Sequence, residues 1–130
     1  MFRWIDHTAE LELEIEAPTE AAVFADALAA FAELAGDGDG VPVDEEIRVL
    51  APDRPLRLVA WLEELIYLVE TEGFVPERIE SLELDGDVLH ARVSGRAGSP
   101  SHLVKAVTLH RLELGPDESG TWRGRVVLDV

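Results

Sequence analysis

The chain contains no cysteine, so it has neither disulfides nor thiolate metal ligands. Basic residues are scarce: 11 Lys and Arg stand against 27 Asp and Glu, a formal net charge of −16. That balance disfavours nucleic-acid binding, which needs clustered positive charge to neutralise phosphates. No apolar run approaches the ~18 residues of a membrane helix. The opening Met1-Phe2-Arg3-Trp4-Ile5-Asp6-His7 lacks the basic segment and apolar core of a signal peptide, and the expectation is a cytoplasmic protein. There is no Gly-rich phosphate loop, no dinucleotide fingerprint and no nucleophile elbow around Ser81, Ser94, Ser99, Ser101 or Ser119.

What is present is a globular composition. Hydrophobic residues make up 47% of 130 residues, enough for one domain with one core, residues 1–130. The acidic surface fits two readings. It attracts metal ions and positively charged protein surfaces, or it serves solubility or a salty or hot habitat.

Leu11, Leu13 and Ile15 alternate with Glu10, Glu12, Glu14 and Glu16, the period of a strand with an acidic outer face. Residues 2–8 form or lead into the same extended element. Thr19 caps a helix whose apolar stripe is Val23, Phe24, Ala27, Leu28, Phe31 and Leu34, and Gly36 ends it. A strand over 45–51 follows. Asp53 caps a second helix with Pro55 in its first turn, an apolar face from Leu58 to Val69, and Gly73 as its stop. Four strands follow, over 78–84, 87–96, 104–114 and 121–129, the first two joined at Asp85-Gly86. The fold class is α+β: a mixed or mostly antiparallel sheet packed with two helices.

Four stretches invite chemistry. Gly36-Asp37-Gly38-Asp39-Gly40 has the acids of a calcium loop without its spacing, because Pro42 and Val43 fall at ligand positions; it reads as a solvated turn. In Asp6-His7-Thr8-Ala9-Glu10, strand periodicity puts Asp6, Thr8 and Glu10 on one face. That is either the start of a hard-cation site or the continuation of the acidic stripe. Lys105 stands in an apolar strand segment, where a lone lysine reads as edge protection against aggregation. Asp129 lies one residue from the Val130 carboxylate and shares a face with Arg123 and Arg125; a cation or an arginine must offset that repulsion.

Asp6-His7-Thr8-Ala9-Glu10, Lys105-Ala106-Val107-Thr108-Leu109-His110 and Leu128-Asp129-Val130 together strongly resemble the archease family. The helix opening Thr19-Glu20-Ala21-Ala22-Val23-Phe24 and the segment Trp61-Leu62-Glu63-Glu64-Leu65 agree, and the likeness spans essentially the whole chain. The resemblance implies a non-catalytic helper of an RtcB-type RNA ligase. Such helpers promote guanylylation and multiple turnover in tRNA splicing or RNA repair. It implies a divalent cation, calcium by the family's habit, held by Glu10, Asp129 and Val130. It further implies that Lys105 and Asp6 act in ligase activation. The family motif ends in Asp where this sequence has Glu10, whose carboxylate reaches one methylene farther; Asp6 is the alternative ligand. The competing readings are a general chaperone or scaffold and a stand-alone metal-dependent hydrolase.

Overall fold

Both helices start where capping chemistry places them. The Ala22 N–H donates to Thr19 Oγ1 at 3.1 Å and the Leu56 N–H to Asp53 Oδ1 at 3.0 Å. The computed structural model describes residues 1–130. Its elements in chain order are β1 (Phe2–His7), β2 (Glu10–Ala17), α1 (Glu20–Ala35), β3 (Pro42–Leu50), α2 (Arg54–Glu72), β4 (Phe74–Asp85), β5 (Val88–Ala97), β6 (Ala106–Pro116) and β7 (Trp122–Asp129). Gly73 ends α2 in the left-handed conformation that favours glycine.

The strands form two sheets, ordered β1-β2-β7-β6 and β3-β5-β4, and every pairing is antiparallel. One mixed or mostly antiparallel sheet was the expectation. Both helices pack against both sheets. Leu13, Ile15, Val126 and Leu128 of the first sheet meet Phe24, Leu58, Leu62 and Leu65 of the helices, with Ile47, Leu89 and Val93 of the second sheet in the same core. Trp61, fully buried, donates its indole N–H to the Phe24 carbonyl at 3.0 Å and ties the helices together.

Residues 2–8 do not run into the next strand. The chain reverses at Thr8-Ala9, with Ala9 at φ 61, and β1 pairs back on β2 from His7↔Glu10 to Phe2↔Ile15. Strand β4 begins at Phe74, ahead of the expected 78, because Phe74 and Val75 are buried in the core. Pro76 is tolerated there because β4 is an edge strand and its register shifts at that point. Strand β6 begins at Ala106, so Lys105 stands just outside it.

Candidate metal centre

In antiparallel sheets directly opposed residues share a face. His7 opposes Glu10, Glu10 opposes Asp129, and Asp129 opposes Ala106, so one row crosses all four strands at one end of the first sheet. Two carboxylates from opposite ends of the chain are thereby nearest cross-strand neighbours, with Cβ atoms about 5 Å apart by the general geometry of such pairs. Both are half-exposed, and neither takes part in an ion pair. The arginines that the sequence offered to Asp129 are engaged elsewhere: Arg123 with Glu16 and Asp117, Arg125 with Glu113. Adjacent unpaired carboxylates repel, and their oxygens are the donors that hard divalent cations prefer. This pair fits a divalent cation as part of a shell. No set of three or more His, Asp or Glu side chains converges. Further ligands for such a cation would have to come from main-chain oxygen, as at Val130, or from water.

The structure separates Asp6 from Glu10. Asp6 opposes Leu11 and so lies on the side of the sheet that carries Leu11 and Leu13, while Glu10 faces the other way. The expected shared face of Asp6, Thr8 and Glu10 does not form, because Thr8 sits in the turn and the strand period is broken there. Asp6 is exposed at the same end of the sheet.

Lys105 is brought to this end by its backbone, whose N–H donates to the Asp129 carbonyl at 2.8 Å. Its side chain is exposed and in no ion pair. It borders a shallow hollow of about 200 Å³ between α2 and β6, lined also by Glu63, Ile66, Tyr67, Glu70 and Val107.

Three of the four glutamates of the β2 stripe, all but Glu10, are neutralised by arginines of the same sheet. Arg3 pairs with Glu14 at 2.6 Å, Arg123 with Glu16, and Arg111 with Glu12 at 2.7 Å. The hydrogen bond from Arg3 holds the Glu14 carboxyl below its ordinary range. Glu12, by strand period a solvent-facing residue, is only 1% exposed. The sequence carried no signal for this beyond an arginine at position 111. On α2 the opposite holds: Glu63, Glu64, Glu70 and Glu72 belong to no ion pair, so much of the free negative charge lies along that helix. The Gly36–Gly40 segment is irregular backbone, not a turn, with Asp37 and Asp39 exposed and the Gly40 N–H donating to the Ala97 carbonyl at 2.8 Å.

A larger hollow, about 590 Å³, lies at the other end of the first sheet, bordered by Glu20, Arg54, Arg57, Asp87 and Leu114. Its charged groups satisfy one another, with Arg57 on Glu20 at 2.9 Å and Arg54 on Glu20 at 3.2 Å. Arg54 also lies 5.1 Å over the Trp122 ring.

Residues 2–130 match the model of the Archease protein family (MTH1598/TM1083). The chain is 31% identical to protein archease of Archaeoglobus fulgidus, covering 99% of this chain and 98% of that protein. It is 35% identical to the probable protein archease of Mycobacterium tuberculosis, over 98% of this chain and 74% of that one. The solution structure of Methanobacterium thermoautotrophicum protein 1598 superposes with a TM-score of 0.75 at 26% identity, covering 99% and 98% of the two chains. An archease from Thermotoga maritima, described as a possible chaperone, shares the fold at a TM-score of 0.72 and 22% identity over 100% and 98%. The two-sheet, two-helix architecture and the full-length match agree: this chain belongs to the archease family.

Proposed function

We propose that this chain is a cation-binding helper that activates an RtcB-type RNA ligase, promoting its guanylylation and repeated turnover in tRNA splicing or RNA repair. The observation that carries the reading is the register Glu10↔Asp129, with Lys105 bonded through its backbone to Asp129. Glu10, Asp129 and the main chain of Val130 would hold a divalent cation, calcium by family resemblance. When bound, that ion supplies positive charge that offsets the repulsion of the paired carboxylates. Lys105 keeps a free ammonium at the same end, available to a nucleotide phosphate or a carboxylate inside the ligase cleft. Asp6, exposed on the other side of the sheet, offers a carboxylate to the partner. The unpaired glutamates of α2 give a basic ligase surface a complementary ridge and disfavour direct RNA binding. In this reading the protein is not itself an enzyme and works in the cytoplasm.

Multiple-turnover RNA ligation by the RtcB-type ligase of the same organism tests this, with GTP and divalent metal. Stimulation by substoichiometric protein, lost in Asp129→Ala, is expected; absence of stimulation by the wild-type chain refutes the reading. A second reading, general chaperoning, draws on the exposed apolar side chains Tyr67, Leu103 and Leu109. Protection of unrelated aggregating clients, indifferent to Asp129→Ala, would support it instead.

A further inference from the structure

Glu12 and Val127 both lie on the outer face of the first sheet, opposite one another, one step inward from the Glu10–Asp129 row. Outer-face residues of a one-sided sheet are normally wet. Yet Glu12 is 1% exposed and Val127 2%, and Val127 is not part of the continuous core. Something covers them. The one contact that reaches this pair from the neighbouring strand comes from the break in β6, through Arg111 on Glu12: the pairing of β6 with β7 jumps from Thr108↔Val127 to Glu113↔Arg125, leaving Leu109–Leu112 opposite the single residue Val126. Arg111 sits in that bulge at φ 57, a conformation that costs a non-glycine residue free energy and persists only where surroundings enforce it.

Two contacts enforce it. Arg125 Nε donates to the Arg111 carbonyl at 3.0 Å, and Arg111 Nη1 reaches Glu12 Oε1 at 2.7 Å. Glu12 Oε1 is buried and its ion pair is not aligned as a hydrogen bond, so charge attraction alone holds it, with His7 Nε2 3.7 Å away on the β1 side. In the strand order β1-β2-β7-β6, the Arg111–Glu12 pair spans from β6 to β2 across β7.

We infer that Arg111 and Glu12 are positioning residues, a strap across β7 that keeps Asp129 in register with Glu10 and so sets the cation affinity of this end. Strand β7 carries Asp129 as its last residue, where a strand frays most readily. The strap clamps the neighbouring row, Glu12↔Val127↔Thr108, and thereby limits fraying at Asp129. Partners that orient metal ligands without touching the metal typically change affinity by about 10–100-fold. The inference rests on the cation reading of Glu10 and Asp129 for its affinity consequence, while the strap itself is measurable without any ion.

The test uses the full chain and the charge-balanced double variant Glu12→Leu/Arg111→Ala, which cuts the strap, leaves no buried charge and keeps the net charge. Calcium or terbium titration is read beside amide hydrogen exchange of Val127–Asp129. The expected result is at least ~10-fold weaker cation binding, together with faster exchange confined to that segment. Arg111→Lys, which retains the charge and most of the reach, is expected to restore much of both. Unchanged affinity in a folded double variant overturns the positioning role. Unchanged exchange at Val127–Asp129 overturns the strap. Should the double variant not fold, rapid exchange of those amides in the wild-type chain would overturn the strap as well. Absence of cation binding by the wild-type chain sinks the cation reading and the affinity claim with it, and the exchange data then decide the strap alone.

Discussion

Replacing Arg57 by methionine removes a guanidinium that is 3% exposed and joined to four groups. Nε donates to the Ala51 carbonyl at 2.9 Å and Nη1 to Glu20 at 2.9 Å, while Nη2 reaches the Pro52 carbonyl at 3.5 Å and Asp87 Oδ1 at 3.4 Å. These bonds link the start of α1, the start of α2 and the β4–β5 turn. Breaking one partner of a buried pair costs about 3–5 kcal/mol when the other charge is stranded. Here the stranding is incomplete. Asp87 is 57% exposed and returns to water, and Glu20, though only 15% exposed, keeps Arg54 at 3.2 Å. Methionine also keeps much of the aliphatic packing. About 2–3 kcal/mol remains as the expected loss, the bond to the Ala51 carbonyl included. With unfolding entropy near 2.1 cal/mol/K per residue, that lowers the melting temperature by roughly 7–11 °C. Calorimetry and urea denaturation measure it directly. The loss should persist in high salt, because a buried pair is weakly screened. Glu20→Gln combined with Arg57→Met should cost less than the two single changes added, by about 1–2 kcal/mol. An Arg57→Met variant within about 0.5 kcal/mol of wild type, or a double-mutant cycle with no coupling, would refute the hub.

Two further predictions concern parts of the fold away from the cation row. Asp117 accepts bonds from the Ser119 hydroxyl, Arg123 Nε and the Ser119 and Thr121 N–H groups, which lower its carboxyl from 3.8 to about 2. The unfolded chain therefore binds the proton more readily, so the contribution is complete above about 3.8 and disappears as pH falls toward 2. Carboxyl NMR should find that low midpoint and see it rise in Ser119→Ala; a midpoint at the ordinary aspartate value would exclude the bonded turn. Gly95, in the central strand β5, is packed so tightly that an added Cβ would clash with the Val75 carbonyl and come 2.9 Å from the Phe74 ring. Gly95→Ala should cost about 2–3 kcal/mol in denaturant unfolding, and a neutral substitution would show that the close approach has slack.

Local signals were readable in the chain because they act over a few residues. Thr19 and Asp53 cap through bonds to N–H groups three residues on, and Gly73 ends α2 by its tolerance of positive φ. The hairpin at Asp85-Gly86 lay one residue off: the two-residue loop is Gly86-Asp87, with Gly86 at φ 60. The period of β2 identified its faces correctly, yet it could not reveal that one of its glutamates is dry. Buried Glu12 is paired with Arg111, a residue about three quarters of the chain away in sequence, which reaches it from a bulge that no alternation pattern announces. For the same reason Asp6 went to the opposite face from Glu10: a two-residue turn reverses the chain, and periodicity assumes an unbroken strand.

By itself the sequence determined the α+β class, the helix boundaries, the acidic excess and the motifs that mark an archease, since capping, period, charge and motif are properties of neighbouring residues. Only the tertiary structure decided that Glu10 faces Asp129 with Lys105 bonded beside it, that Glu12, Glu14 and Glu16 of β2 are neutralised by arginines while Glu63, Glu64, Glu70 and Glu72 of α2 are not, and that Arg111 reaches Glu12 across β7. Those are pairings between distant segments, and register between strands is set by the packing of the whole sheet against its core.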